Sequence, residues 1–129
     1  ADHMFLRVDC DEPLLVDTGF GSSMIEPIPL FQANTHQPPY TLSVTEQDKG
    51  YFRFSEQLAE AEPTSFDYKL TPVGETYFDG VSNSLQTDET SSFLRMLKAQ
   101  RRYADRHVIL RGCVKRIIGS QGMSEHVLR

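Results

Sequence analysis

Leu14-Leu15-Val16 runs straight into Asp17, and Thr18-Gly19-Phe20-Gly21 follows. An apolar run stopped by a glycine predicts a buried strand that ends there. A carboxylate at the end of such a strand needs a partner, because an unpaired charge taken out of water is costly. Upstream, His3-Met4-Phe5-Leu6-Arg7-Val8 is a second strand-like run, joined to the first by the polar tip Asp9-Cys10-Asp11-Glu12. The two runs predict an antiparallel hairpin over 3–17, with His3 and Asp17 near the open ends of its arms. Side chains alternate faces along a strand, so two odd-numbered residues share a face only if paired numbers sum to an even total. A three-residue loop, Asp9-Cys10-Asp11, pairs Val8 with Glu12 and sets His3 opposite Asp17. A two-residue loop, Cys10-Asp11, points the two side chains to opposite faces. The expected arrangement is the first, with the carboxylate holding the imidazole in one tautomer.

A second block lies far downstream, Leu85-Gln86-Thr87-Asp88-Glu89-Thr90-Ser91-Ser92-Phe93. Together, the two blocks resemble the arylamine N-acetyltransferase family, which uses a Cys-His-Asp triad. There the His begins a strand and the Asp sits in a Val-Asp-x-Gly-Phe-Gly stretch; here the separation is 17 − 3 = 14 residues. The family's Leu-Gln-Thr-Ser-Pro-Thr-Ser-Ser-Phe run corresponds to residues 85–93, with Asp88-Glu89 in place of Ser-Pro. The family's Asp-Phe-Glu stretch is present only as Tyr77-Phe78-Asp79. The resemblance covers most of residues 3–118.

It implies His3 and Asp17 as catalytic residues, Phe20 and Gly21 beside the acceptor, and Thr87, Thr90, Ser91 and Ser92 near the acetyl donor, acetyl-CoA. It implies a ping-pong cycle in which a thiolate takes acetyl from acetyl-CoA and passes it to an arylamine or hydrazine. In the family the nucleophilic Cys precedes the His, in an N-terminal helical domain. The expectation is therefore a C-terminal portion that lacks the thiol and is inactive alone, with that helical domain as its partner. The rival expectation is a non-catalytic binding or interaction module that keeps the β-barrel without the chemistry.

Within the 129 residues neither thiol is a good nucleophile. Cys10 sits at the predicted hairpin tip, roughly 20 Å from His3 at about 3.3 Å per residue. Cys113 follows Gly112 at a strand boundary and reads as structural. Two cysteines make no disulfide framework, which suits a reducing, cytoplasmic setting. Neither has the His or Cys neighbours a metal would need. No apolar run approaches the ~18 residues that cross a membrane as a helix.

The net charge of −5 hides an asymmetry, since residues 1–90 hold 4 basic and 16 acidic side chains and residues 91–129 hold 9 and 2. Either the halves neutralise each other, or Lys98, Arg101, Arg102, Arg106, Arg111, Lys115 and Arg116 supply a site for coenzyme A phosphates. An acidic chain without a nucleic-acid motif does not point to nucleic acid.

Coarse punctuation completes the reading. Residues 18–38 read as irregular, because Pro27, Pro29, Pro38 and Pro39 each remove a ladder donor, with Ile28-Pro29-Leu30-Phe31 open to reading as an edge strand. Tyr40–Val44 and Tyr51–Phe54 predict a second hairpin, 55–64 an exposed loop or short helix, and Phe66–Leu70 a strand. Thr76–Leu85 predicts a helix capped by Thr76, with Phe78, Val81 and Leu85 on one face. Phe93–Tyr103, Val108–Arg111 and Val114–Ile118 are strand-like, and the tail from Gly119 is weakly specified. His36, His107 and His126 read as surface residues. The fold class expected is mainly β with one or two helices (α+β): a small antiparallel β-barrel portion over 1–75, then an interdomain helix and the start of an α/β lid over 76–129. If a domain lies outside these residues, apolar surface should be exposed at Phe5, Phe20 and parts of 24–31.

Overall fold

The computed structural model describes residues 3–17, 24–31 and 33–129. Its strands form three antiparallel sheets. The first holds β1 (Leu6–Val8), β2 (Leu14–Val16) and β3 (Ile28–Pro29). The second runs in order β4 (Ala33–Gln37), β5 (Tyr40–Glu46), β6 (Tyr51–Leu58), β7 (Thr64–Lys69). A helix α1 (Asp79–Thr87) and a single turn α2 (Ser92–Arg95) lead to the third sheet. That sheet is β8 (Lys98–Arg102), β9 (Arg106–Arg111), β10 (Val114–Gly119) and β11 (Gly122–Val127), a meander of adjacent hairpins. The chain is mainly β with little helix, as expected. Among the described residues the three sheets are not joined into a closed barrel.

The core belongs to the first two sheets. Tyr40, Leu42 and Val44 alternate inward along β5 and meet Phe54, Tyr68, Leu15, Ile28 and Leu30, all buried. Phe5, Phe52 and Phe66 pack against this cluster, with the Phe5 ring 4.7 Å from Tyr68 in an edge-on contact. The Tyr68 hydroxyl donates to the Leu30 carbonyl at 2.8 Å. Burial pushes its pKa up to about 12.

Several expectations are corrected. Residues 33–37, read as irregular, form β4: Ala33 and Gln37 are buried on alternate positions, but a buried glutamine hides the period. The segment expected as loop or helix at 55–64 carries β6 on to Leu58 and turns at Ala59, whose φ is 47°. The helix begins at Asp79 after a 3-10 turn at Glu75–Phe78, and no side chain caps it, so Thr76 does not play that part. Phe78, Val81 and Leu85 are half-buried, as their spacing predicts. The tail is β11, paired to β10 through a two-residue turn that Gly122 closes at φ 101°. Among the described residues, no helix is long and apolar enough to cross a membrane.

Candidate active site

The first hairpin pairs Leu6 with Val16, Arg7 with Leu15 and Val8 with Leu14. The loop is residues 9–13, two longer than expected. Pro13 has no N–H for a ladder, and its carbonyl accepts instead from Leu30 N–H at 2.9 Å, which ties the loop to the core. Lengthening the loop by two keeps the even sum, so the odd-numbered side chains still share a face. That face points inward. Leu15 is fully buried, Phe5 packs on the core, and the His3 ring meets the edge of Phe66 at 5.8 Å.

His3 and Asp17 come together on this face, with Nε2 of the imidazole 2.7 Å from Oδ2 of the carboxylate. The Asp17 side chain is 7% exposed and that of His3 25%. A carboxylate so far out of water is held by a strong, short hydrogen bond, and the bond fixes which ring nitrogen faces away from it. Asp17 also lines an open cleft of about 300 Å³, with Met24, Glu26, Gln100 and Arg102 around it. Phe20 and Gly21, expected beside the acceptor, lie outside the described residues.

Both thiols are free and exposed. Cys10 sits in the loop at the closed end of the hairpin, its Sγ–H directed at the Glu12 carbonyl at 2.9 Å. Cys113 lies in the turn after β9, beside Gly112 at φ 57°. Neither is at the open end where the His3–Asp17 pair stands.

Three hydroxyls of the second block are turned to their own chain. Thr87 donates to the Asn83 carbonyl (2.9 Å), Thr90 to Asp88 Oδ1 (2.7 Å) and Ser91 to the Leu85 carbonyl (2.7 Å). Ser91 Oγ accepts from Phe93 N–H at 3.3 Å, so it caps the turn that Ser92 opens. The two bonds from Thr90 to the Asp88 carboxylate hold its pKa below the usual range.

His107 is not a surface residue. It is 1% exposed, and its Nδ1 lies 2.9 Å from the Tyr40 hydroxyl. Burial, aided by the cations of Arg102 and Lys98, pushes its pKa down to about 4. Burial also raises the Tyr40 pKa. Arg102, counted among the phosphate candidates, reaches across to the second sheet and donates to the Pro38 carbonyl (2.8 Å) and the Gln37 carbonyl (3.2 Å). Sequence reasoning missed this junction because its partners lie more than sixty residues apart, and no local period marks a buried polar contact. Other basic residues are engaged too: Arg116 with Glu125 at 2.6 Å and Arg106 with Asp105 at 3.0 Å. Among the described residues, no group of three or more His, Cys, Asp or Glu side chains is arranged to hold a metal ion.

A family model described as N-acetyltransferase matches residues 1–126. No curated protein sequence matches significantly. Among solved structures, the chain is similar to an arylamine N-acetyltransferase from Mycobacterium smegmatis (TM-score 0.87, 20% identity, 98% of this chain and 48% of that one). The enzyme from Mycobacterium abscessus gives a TM-score of 0.83 at 23% identity, over 99% and 49% of the two chains. That from Mycobacterium marinum, in complex with CoA, gives 0.86 at 20%, over 99% and 49%. The chain thus spans about half the length of the solved structures it matches.

Proposed function

Because the chain belongs to the N-acetyltransferase family, we propose that it supplies His3 and Asp17 to the Cys-His-Asp triad of an arylamine N-acetyltransferase-like enzyme, the thiol coming from a segment outside these residues. The observation that carries the reading is the 2.7 Å bond between His3 Nε2 and Asp17 Oδ2 on the inward face of the hairpin. With Nε2 given to the carboxylate, Nδ1 is the nitrogen that would take the thiol proton, and Asp17 would stabilise the imidazolium as it forms. The thiolate attacks the thioester carbonyl of acetyl-CoA, and the CoA thiol leaves carrying the proton that His3 returns. In the second half-reaction the acceptor nitrogen attacks the enzyme thioester, His3 takes the amine proton, and the enzyme thiol is regenerated. No metal and no redox partner is required for this balance.

In this reading residues 1–75 are the barrel-derived portion, and 76–129 hold the interdomain helix and the start of the lid. Phe20 and Gly21 would border the acceptor, an arylamine or hydrazine. Thr87, Thr90, Ser91 and Ser92 would border the donor. Three of those hydroxyls already donate inside the chain, so they offer lone pairs first and would have to rotate to bond a phosphate.

Apolar surface supports a missing half. Met4, Leu6 and Val8 alternate along the outer face of the first hairpin and are 54%, 51% and 42% exposed. Phe31 at 44% and Phe93 at 74% add to them. Phe5, by contrast, is turned inward by the same alternation. The test is to express the whole product of the native gene, treat it with acetyl-CoA without acceptor, and locate the acetyl group by mass spectrometry. Acetyl on a cysteine upstream of His3 supports the proposal. A gene product that begins near Ala1 and carries no acetyl would favour the non-catalytic module.

A further inference from the structure

One wall of the cleft beside Asp17 is the segment 24–27, which belongs to no strand. A buried side chain ties it to the second sheet. Gln37, at the end of β4, is 6% exposed, and its Oε1 accepts from Ile25 N–H (2.7 Å) and Glu26 N–H (3.1 Å). Its Nε2 donates to the Glu26 carbonyl at 2.8 Å. Three bonds to one loop fix both ends of the amide, so the loop follows wherever residue 37 goes.

Residue 37 is in turn gripped from the third sheet. One terminal nitrogen of Arg102 donates to the carbonyls of Gln37 and Pro38; the other donates to those of Arg106 (2.9 Å) and Tyr103 (3.1 Å). The guanidinium fork therefore bolts the β4–β5 turn to the β8–β9 turn, a task that the point charge of a lysine cannot repeat. Beside it the guanidinium lies over the Tyr40 ring at 5.2 Å, and the Tyr40–His107 bond closes the junction.

We propose that Gln37 and Arg102 are positioning residues, which couple the placement of the third sheet to the cleft wall at Ile25 and Glu26 beside Asp17. The functional meaning rests on the acetyl-transfer reading above. There the donor approaches the 87–92 block and the strands after it, so a shift on the donor side is felt as a change in acceptor fit. Neither residue touches the reacting atoms in this scheme.

The test is backbone amide exchange by NMR on the whole gene product, comparing wild type, R102K and Q37L. The amides of Ile25 and Glu26 donate to Gln37, so their exchange in R102K reports on the link through that side chain. The expected result is about a tenfold faster exchange at both in R102K, with Val44 and Phe54 in the β5–β6 ladder within about twofold of wild type. Unchanged protection at Ile25 and Glu26 in R102K overturns the coupling. Q37L serves if R102K loosens the whole fold: it keeps the Arg102 grip on main-chain carbonyls and must still expose the two amides, and if it does not, the proposal fails. In the whole gene product, R102K and Q37L should raise the acceptor KM about tenfold, a larger change than in the rate of CoA release without acceptor. Equal losses in both half-reactions would contradict the positioning role. Absence of acetyl transfer in the wild-type protein would end the acetyl-transfer reading, and the exchange result would still decide the coupling.

Discussion

His3 Nε2 and Asp17 Oδ2 are 2.7 Å apart although the two residues do not face each other across the hairpin. With Leu6 opposite Val16, the register carried one step further puts Phe5 opposite Asp17. His3 is the diagonal neighbour on the same face, within reach of a long side chain though not of a short one. The pair depends on parity, and the two extra residues in the loop preserve it.

That geometry leaves both cysteines of this chain without a base. Treated with acetyl-CoA, the chain alone should show no acetyl adduct on Cys10 or Cys113 by mass spectrometry and no transfer to an arylamine. Both thiols are exposed, so an alkylating reagent should label them readily. An adduct on Cys10 would show that the hairpin tip reaches the imidazole.

How much of this was legible beforehand depends on whether the signal was local. The first hairpin and the side-chain parity of His3 and Asp17 are visible because apolar runs, a polar tip and a glycine stop lie within one short stretch. Pro13 was the clue to the loop length, since a residue without an N–H makes a poor partner in the ladder. β4 was hidden because Gln37 occupies a core position that an apolar residue would ordinarily mark. His107 was misread for a related reason: its partner Tyr40 lies in another sheet, and only the tertiary fold brings the two together. β11 carries no buried residue, so its sequence has no apolar period to read; pairing to β10 makes it a strand.

The buried His107 predicts a pH dependence of stability. Its folded pKa, about 4, lies below its ordinary value of 6.5, so the unfolded chain binds the proton more tightly. Stability from this residue is present above pH 6.5, falls as pH drops from there towards 4, and levels off below. The full loss is on the order of 3 kcal/mol. Urea midpoints measured from pH 7 to 4 should fall across that window, and H107Q should flatten the fall. Parallel curves for H107Q and wild type would show that the imidazole does not resist protonation in the fold.

The basic residues of the third sheet separate into two groups. Arg102, Arg106 and Arg116 are tied to carbonyls or carboxylates within the chain. Arg101 instead lies over the Tyr103 ring at 5.0 Å, and the register places it on the same sheet face as Lys115. Coenzyme A binding to the whole gene product should therefore weaken in R101Q by about tenfold or more, consistent with one charged hydrogen bond. It should also weaken with ionic strength in wild type more than in R101Q. Calorimetric titration with coenzyme A and with pantetheine checks this. Equal affinity for the two ligands, unmoved by salt, would mean that these charges only balance the acidic half of the fold.

In the proposed enzyme the bond from His3 to Asp17 serves acetyl transfer. A single-turnover measurement of CoA release from acetyl-CoA, made on the whole gene product without acceptor, tests it most directly. D17N keeps the shape and removes the charge that orients the imidazole and stabilises its protonated form, and H3Q removes the base. The rate should fall by at least about a hundredfold in each, the double variant should be no slower than the worse single one, and thermal unfolding of D17N should stay cooperative. CoA release in D17N and H3Q at the wild-type rate would contradict that role.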